Sequence, residues 1–162
     1  MKLCNAEIMK KVKLMEQEKN EITAEEKRIC QTTYQSATDK IDNGYNFTKT
    51  RDNISGLDSE IRQLKHLLNH SNATTVVGDF NMTLGECLVY MAQLNNERGI
   101  LEQLAQKEAT TRHSTFNGVI EYTELNYDKS ECKERLKQTQ ETIAKLQIAI
   151  DRTNLTNMIE IE

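Results

Sequence analysis

Apolar residues return every third or fourth position along most of this chain, the period of an amphipathic helix, and the pattern predicts four helices. From Leu3 to about Tyr34 the apolar positions Ile8, Met15, Ile22 and Ile29 stand seven apart. Only Val12 reinforces the alternate position, and Lys19 and Glu26 occupy places where a second seam residue would sit. The stripe is narrow, so this helix is expected to pack on one side only or to leave its distal part uncovered. At about 1.5 Å per residue it would extend roughly 48 Å, more than a compact small domain accommodates. Residues 36–48 break the period, and Asp42-Asn43-Gly44 signals a turn because those residues tolerate positive φ. A second helix is predicted from about Lys49 to Asn69, with Ile54, Leu57, Ile61, Leu64 and Leu68 forming an unbroken seam.

The second half of the chain echoes the first. Leu68-Asn69-His70-Ser71-Asn72-Ala73-Thr74 is matched 82 residues later by Ile150-Asp151-Arg152-Thr153-Asn154-Leu155-Thr156, and the same offset carries Ile54, Ile61 and Leu64 onto Leu136, Ile143 and Leu146. Self-similarity at a fixed period signals a duplicated supersecondary unit. Thr74 to Asp79 carries β-branched residues before a Gly turn and suggests a short strand. Thr83-Leu84-Gly85-Glu86 fits a capping box and opens a third helix near Leu84. That helix continues to about Thr110 through Leu88, Met91, Leu94, Leu101, Leu104 and Ala105.

Between His113 and Asp128, alternation over Val119-Ile120-Glu121-Tyr122-Thr123 after Asn117-Gly118 predicts a β-hairpin. Asp128-Lys129-Ser130-Glu131 then caps a fourth helix with Leu136, Ile143, Leu146 and Ile150 on its seam, and residues 158–162 form a candidate strand. The expected fold is therefore mainly α. Two tandem long-helix hairpins, residues 1–81 and 82–162, share one co-folded domain, with short strands and a β-hairpin at the helix junctions.

Composition agrees with this picture. There is no proline in 162 residues to break a helix, and no Trp; apolar residues make up 37% and aromatics 5%. That is thin material for an isolated core, so the seams are expected to close between copies of the chain, as a homo-oligomer. A formal charge of −4 argues against a general nucleic-acid binder. The four cysteines, Cys4, Cys30, Cys87 and Cys132, are scattered without zinc-site spacing and are expected to be reduced. The charged opening and the lack of any span-length apolar run predict a cytoplasmic protein with no membrane partner. Six Asn-x-Ser/Thr triplets, at Asn46, Asn53, Asn69, Asn72, Asn81 and Asn154, are then turn and cap chemistry rather than glycosylation sites.

Several residues are candidates for chemistry. His66 and His70 lie four apart, which is metal-ligand spacing on a helix, but zinc normally takes three or four ligands and the repeat places Ile148 and Arg152 at the equivalent positions. Arg112-His113 and Arg152 gather cations and hydroxyls at predicted helix ends. They serve either as cap partners for orphan carbonyls or as a fork for an anionic, nucleotide-like ligand, on which Tyr122 would stack. Asn72 and Asn154, each followed two residues on by Thr, form either a duplicated polar site or left-handed helix stops; the stop is favoured because every helix end must satisfy its freed carbonyls. Carboxylates are dispersed along solvated faces, and neither a phosphate-binding glycine loop nor a nucleophile–base spacing stands out. No catalytic residue and no cofactor is nominated, and a non-catalytic role in binding or scaffolding is expected.

Met1-Lys2-Leu3, the central Asn72-Ala73-Thr74 followed by Gly78 and Thr83-Leu84, and the closing Ile150-Asp151-Arg152-Thr153-Asn154 together resemble a bacterial and phage family of short helix-rich proteins of unknown function, some of whose members carry the name septicolysin. The resemblance spans nearly the whole chain. It departs at Cys4-Asn5-Ala6-Glu7, which replaces an apolar-rich opening, and at Leu155, where a Trp is common. It implies a helical fold and a cytoplasmic bacterial or phage origin. The cytolysin its name suggests would need a lipid-facing apolar surface, which this sequence does not display.

Overall fold

The computed structural model describes residues 1–161. Among these, four helices, α1 (Asn5–Ile29), α2 (Phe47–Thr74), α3 (Leu84–Gln106) and α4 (Lys129–Thr156), account for most of the chain. Three antiparallel two-stranded pairs stand at their ends: β1 (Lys2–Cys4) with β6 (Met158–Glu160), β2 (Val76–Val77) with β3 (Met82–Thr83), and β4 (Thr110–Ser114) with β5 (Ile120–Glu124). The mainly α class with junction strands is therefore observed. α2 and α4 are 28 residues each and their bounds differ by the offset of 82 read from the sequence. The strand β1 was not expected, and Glu162 of the predicted closing strand lies outside the described residues.

The compact units do not follow the linear halves. Residues 1–74 form one unit together with the chain from Asn154 onward, and Thr75–Thr153 form the other. The cause is strand pairing: Cys4 sits opposite Met158 and Leu3 opposite Ile159, so the chain's closing segment belongs to the first helical hairpin. In the second unit Thr83 sits opposite Val76 and Met82 opposite Val77. The two pairs are the same junction twice, since Met158 and Ile159 stand 82 residues after Val76 and Val77. Only the turn of β2 and β3 is covalent; there Asn81 adopts φ 51°, a left-handed value that Asn tolerates.

Each junction launches a helix with the same device. In the first unit the Glu7 carboxylate accepts the Cys4 backbone N–H at 2.8 Å; in the second the Glu86 carboxylate accepts the Thr83 N–H at 2.7 Å while Thr83 Oγ1 accepts the Glu86 N–H at 3.2 Å. The expected capping box at Thr83 is thus present, with a counterpart at Cys4 that sequence patterning missed. α2 and α4 are capped equivalently: Asn46 Oδ1 accepts the Lys49 N–H at 2.9 Å, and Asp128 Oδ1 accepts the Ser130 N–H at 2.7 Å.

In the first unit, Ile8, Val12 and Met15 of α1 bury against Ile61 and Leu64 of α2, with Leu3, Leu57, Leu68, Ile159 and Ile161 around them. Past Met15 ion pairs take the places of the gaps in the α1 stripe, beside buried Ile54 and half-buried Ile22 and Ile29. Lys19 Nζ lies 2.5 Å from Asp58 Oδ1, Lys65 Nζ 2.6 Å from Glu16 Oε1, and Glu26 pairs with Arg51 while accepting the Tyr45 hydroxyl at 2.8 Å. The two lysine pairs are exposed enough to contribute only roughly 0–1 kcal/mol each, so they orient the distal helices more than they stabilise them, whereas Glu26 is largely buried. In the second unit Val77, Leu84, Cys87 and Leu94 pack with Leu146, Ala149 and Ile150, ringed by Phe80, Met82, Tyr90, Met91 and Ile143.

Two expectations about helix ends fail. Asn72 and Asn154 lie inside α2 and α4, which continue to Thr74 and Thr156, and neither has positive φ. The following strand, paired in its sheet, ends each helix without a left-handed stop. α3 stops at Gln106 rather than Thr110, because β4 already begins at Thr110; Arg112 and His113 are therefore strand residues and do not cap a helix. The hairpin turn itself is as predicted, with Gly118 at φ 73° and its N–H donating to Thr115 O at 2.9 Å.

The capping bonds hold the Glu7 and Glu86 carboxyls below the ordinary glutamate range, first through the backbone N–H each accepts. A carboxyl whose folded pKa is depressed adds stability above its unfolded pKa of about 4.3, and that stability is lost as pH falls through the folded value. Replacing both by Gln, which accepts the same bond without titrating, should flatten the loss of stability below about pH 4.3. Urea midpoints measured between neutral pH and about pH 3 would test this; an unchanged acid limb would mean these caps do not carry it.

Candidate functional site

Three places gather polar or apolar groups that helix packing does not consume. The first is a buried polar cluster at the junction of the first unit. Asn5, wholly buried at the start of α1, accepts the Ser71 hydroxyl at 3.0 Å and the Asn157 amide at 3.3 Å on Oδ1, and donates to Asn154 Oδ1 at 3.3 Å. Asn157 also donates to Ser71 Oγ at 2.9 Å. Asn154 therefore has a structural role that the sequence reading left open. The duplicated polar site is not realised, because the position equivalent to Asn5 is Leu84, wholly buried in an apolar core. Asn72 stands half-buried on the last turn of α2.

The second place is the β4–β5 hairpin. Arg112 faces Tyr122 and His113 faces Glu121 in register, and nine of its ten strand residues are exposed. Phe116 at the tip is fully exposed, and Val119, Ile120 and Tyr122 add apolar surface. Arg152 does not join this group. It lies 23 residues along α4 from Lys129, roughly 35 Å at 1.5 Å per residue, and pairs with Asp79 at 3.5 Å. The predicted anion fork thus separates into Arg112 with Tyr122 on the hairpin, and Arg152 beside the β2–β3 turn.

The third is a groove of about 520 Å³ between the distal halves of α3 and α4, lined by Leu101, Leu104, Tyr127, Glu131, Cys132 and Arg135. It exists because these helices run further apart than α1 and α2 do. Arg135 reaches across to Glu97 at 3.0 Å, and the Tyr127 hydroxyl donates to Leu104 O at 2.7 Å. Burial raises the Tyr127 phenol above its ordinary pKa, with the nearby Cys132 adding to the effect. Burial likewise raises the Cys87 thiol, the Glu86 carboxylate adding to it, so Cys87 stays protonated and inert.

His66 and His70 are exposed on α2, and no group of three metal-ligating side chains stands among the described residues. The four cysteines are unbridged; Cys30 is exposed and the other three are buried. Among the described residues no helix is long and apolar enough to cross a membrane.

The fold and these surfaces define a mainly α protein of two helical hairpins closed by junction strands. Its fold is similar to the crystal structure of a functionally unknown conserved protein from Corynebacterium diphtheriae, with a TM-score of 0.71 and 17% identity over 99% of this chain and 100% of that one. At that identity the likeness shows the fold alone. No protein-family model matches the chain, and neither does any curated protein.

The polar cluster gives a direct test of what Asn5 does. Asn5→Ala removes the acceptor shared by Ser71 and Asn157 in a buried site and should cost about 2 kcal/mol, while Asn72→Ala should stay within about 0.5 kcal/mol. Urea denaturation followed by circular dichroism measures both, and equal losses would contradict the asymmetry between the two junctions.

Proposed function

We propose that this is a non-catalytic, cytoplasmic helical protein that forms a homo-oligomer and acts as a binding or scaffolding element. One observation carries the reading: the β4–β5 hairpin is uncovered on both faces yet presents Phe116, Val119, Ile120 and Tyr122. An isolated two-stranded hairpin is marginal in water, and apolar surface at its tip gains stability only when another surface covers it. The perturbed acid–base groups support the non-catalytic part. Glu7 and Glu86 are lowered by capping, Glu25 is lowered by its bond from Arg28, and Cys87 and Tyr127 are raised by burial, each a structural cause. Unbridged thiols suit a reducing compartment.

Sedimentation should show an oligomer growing with concentration across the micromolar range, and hydrogen exchange should show the amides of residues 110–124 becoming protected over the same range. A monomer whose hairpin amides exchange freely at every concentration would overturn the reading.

A second reading has one observation behind it: Arg112 and Tyr122 are register partners across the hairpin, so a cationic and an aromatic residue leave the same face of the strand pair, the two groups that an anion with a stackable base would use. Native mass spectrometry of protein purified gently from its host would then reveal a small anionic molecule. Arg112→Ala should abolish its retention, whereas Arg152→Ala should not.

A further inference from the structure

α3 differs from its repeat counterpart on the side turned away from the core. From Leu88 to Gln106 every exposed residue is uncharged, in a chain that is 28% charged. The four charged residues of the helix are all committed elsewhere. Glu86 closes the capping box, Glu97 turns to Arg135 on α4, and Arg98 pairs with Glu102 on the helix itself. Val89, Ala92, Asn96, Ile100 and Gln103 fall three or four apart and so form one outward stripe. Leu88, Val89 and Ile100 are 45%, 60% and 51% exposed. The fold does not require such a face. Aligning the capping boxes, and hence Cys87 with Ile8 and Leu94 with Met15, places Lys10, Lys13, Gln17 and Glu21 on α1 where α3 has Val89, Ala92, Asn96 and Ile100.

We infer that α3 pairs antiparallel with α3 of a second copy of this chain, crossing at Asn96. This rests on the oligomeric reading above and adds to the uncovered hairpin a second surface, on α3, through which two copies meet. The charge pattern selects the occupant. A face with no charge offers a charged partner nothing to pair with, and burying a partner's lone charge against it is costly, whereas a second copy brings an equally uncharged face. The stripe is also palindromic about Asn96: Ala92 meets Ile100, a small residue opposite a large one, and Val89 meets Gln103, in both directions at once. That is the geometry an isologous two-fold contact needs. Asn96 meets its own copy on the axis, and a polar residue in an otherwise apolar seam sets register. The strip is shorter than a standard interface, so the dissociation constant should be micromolar.

The test compares the full-length protein with Ala92→Glu by sedimentation from about 1 to about 200 µM, bracketing that affinity. A second arm uses disulfide trapping in a Cys30→Ser background, which removes the exposed native thiol. The wild type should dimerise and Ala92→Glu should weaken the dimer at least tenfold with unchanged helicity. Asn96→Cys should cross-link to itself. Val89→Cys alone should not, but should do so when mixed with Gln103→Cys. An oligomer that Ala92→Glu leaves intact and Asn96→Cys does not trap would overturn this interface while leaving the scaffold reading in place. A monomer throughout would overturn both.

Discussion

Everything in this fold hangs on how a strand residue hands the chain to a helix. At Cys4 and at Thr83 one residue ends a strand, pairs across to a strand that follows the other long helix, and offers its backbone N–H to a glutamate three residues on. The pairing and the cap act on adjacent atoms, so neither can shift without the other. The consequence reaches well beyond the junction. With the start of α1 pinned beside the chain after α4, and the start of α3 pinned beside the chain after α2, the buried positions at Ile8 and Cys87 are set in depth and rotation. The apolar clusters that follow are what a 3.6-residue period then delivers.

The two junctions share a backbone but not an interior. Leu84 fills its site with an aliphatic side chain against Val77 and Leu146. Asn5 fills the equivalent site with an amide, and that amide requires Ser71, Asn154 and Asn157 to satisfy it. A buried amide network is less tolerant than an apolar plug, since each member left without its partner bears a desolvation cost of about 1–3 kcal/mol. In return it specifies one arrangement of three chain segments, where Leu84 accepts any neighbour of suitable shape. The first unit is the one whose pieces come from opposite ends of the sequence, and the one that gains most from specificity.

Much of the architecture was legible in the residues. The box at Thr83 and the Asn117-Gly118 turn rest on patterns of fewer than eight residues, the seam of α2 on fifteen, and the offset of 82 on a repeated seven-residue segment; such contiguous patterns survive folding. What was not legible depended on distance. β1 is three residues long with no alternation of its own, and its only signal is a partner more than 150 residues away. Asn72 and Asn154 suggested helix stops because their local chemistry fits one, but a paired strand beyond each helix already ends it. Of the candidate site, Arg112 and Tyr122 were brought together as expected, because a hairpin brings them together locally. Arg152 was not, because it stands near the far end of α4, roughly 35 Å from the end where the hairpin joins that helix.

The duplication also shows where the two halves diverged. The α1–α2 hairpin keeps charged outer faces and ties its distal part with Lys19–Asp58, Lys65–Glu16 and the Glu26 pair, all contacts a helix hairpin makes with itself. The second half ties its distal part more sparsely, with Arg135 on Glu97 and the Tyr127 hydroxyl on Leu104 O. Its helices separate enough to leave a groove, its loop has become a strand pair with uncovered aromatic residues, and α3 has an outward face without charge. Each of these lowers what the second half contributes to its own stability in isolation, because apolar area left in water gives up about 25 cal/mol for every Å² that a contact would have buried. A duplicated unit that had drifted without constraint would be expected to recover solvated polar residues at such positions, as α1 has. The same half thus departs at helix face, loop and groove together, while the first half keeps solvated charges outside and makes its ion pairs within its own hairpin.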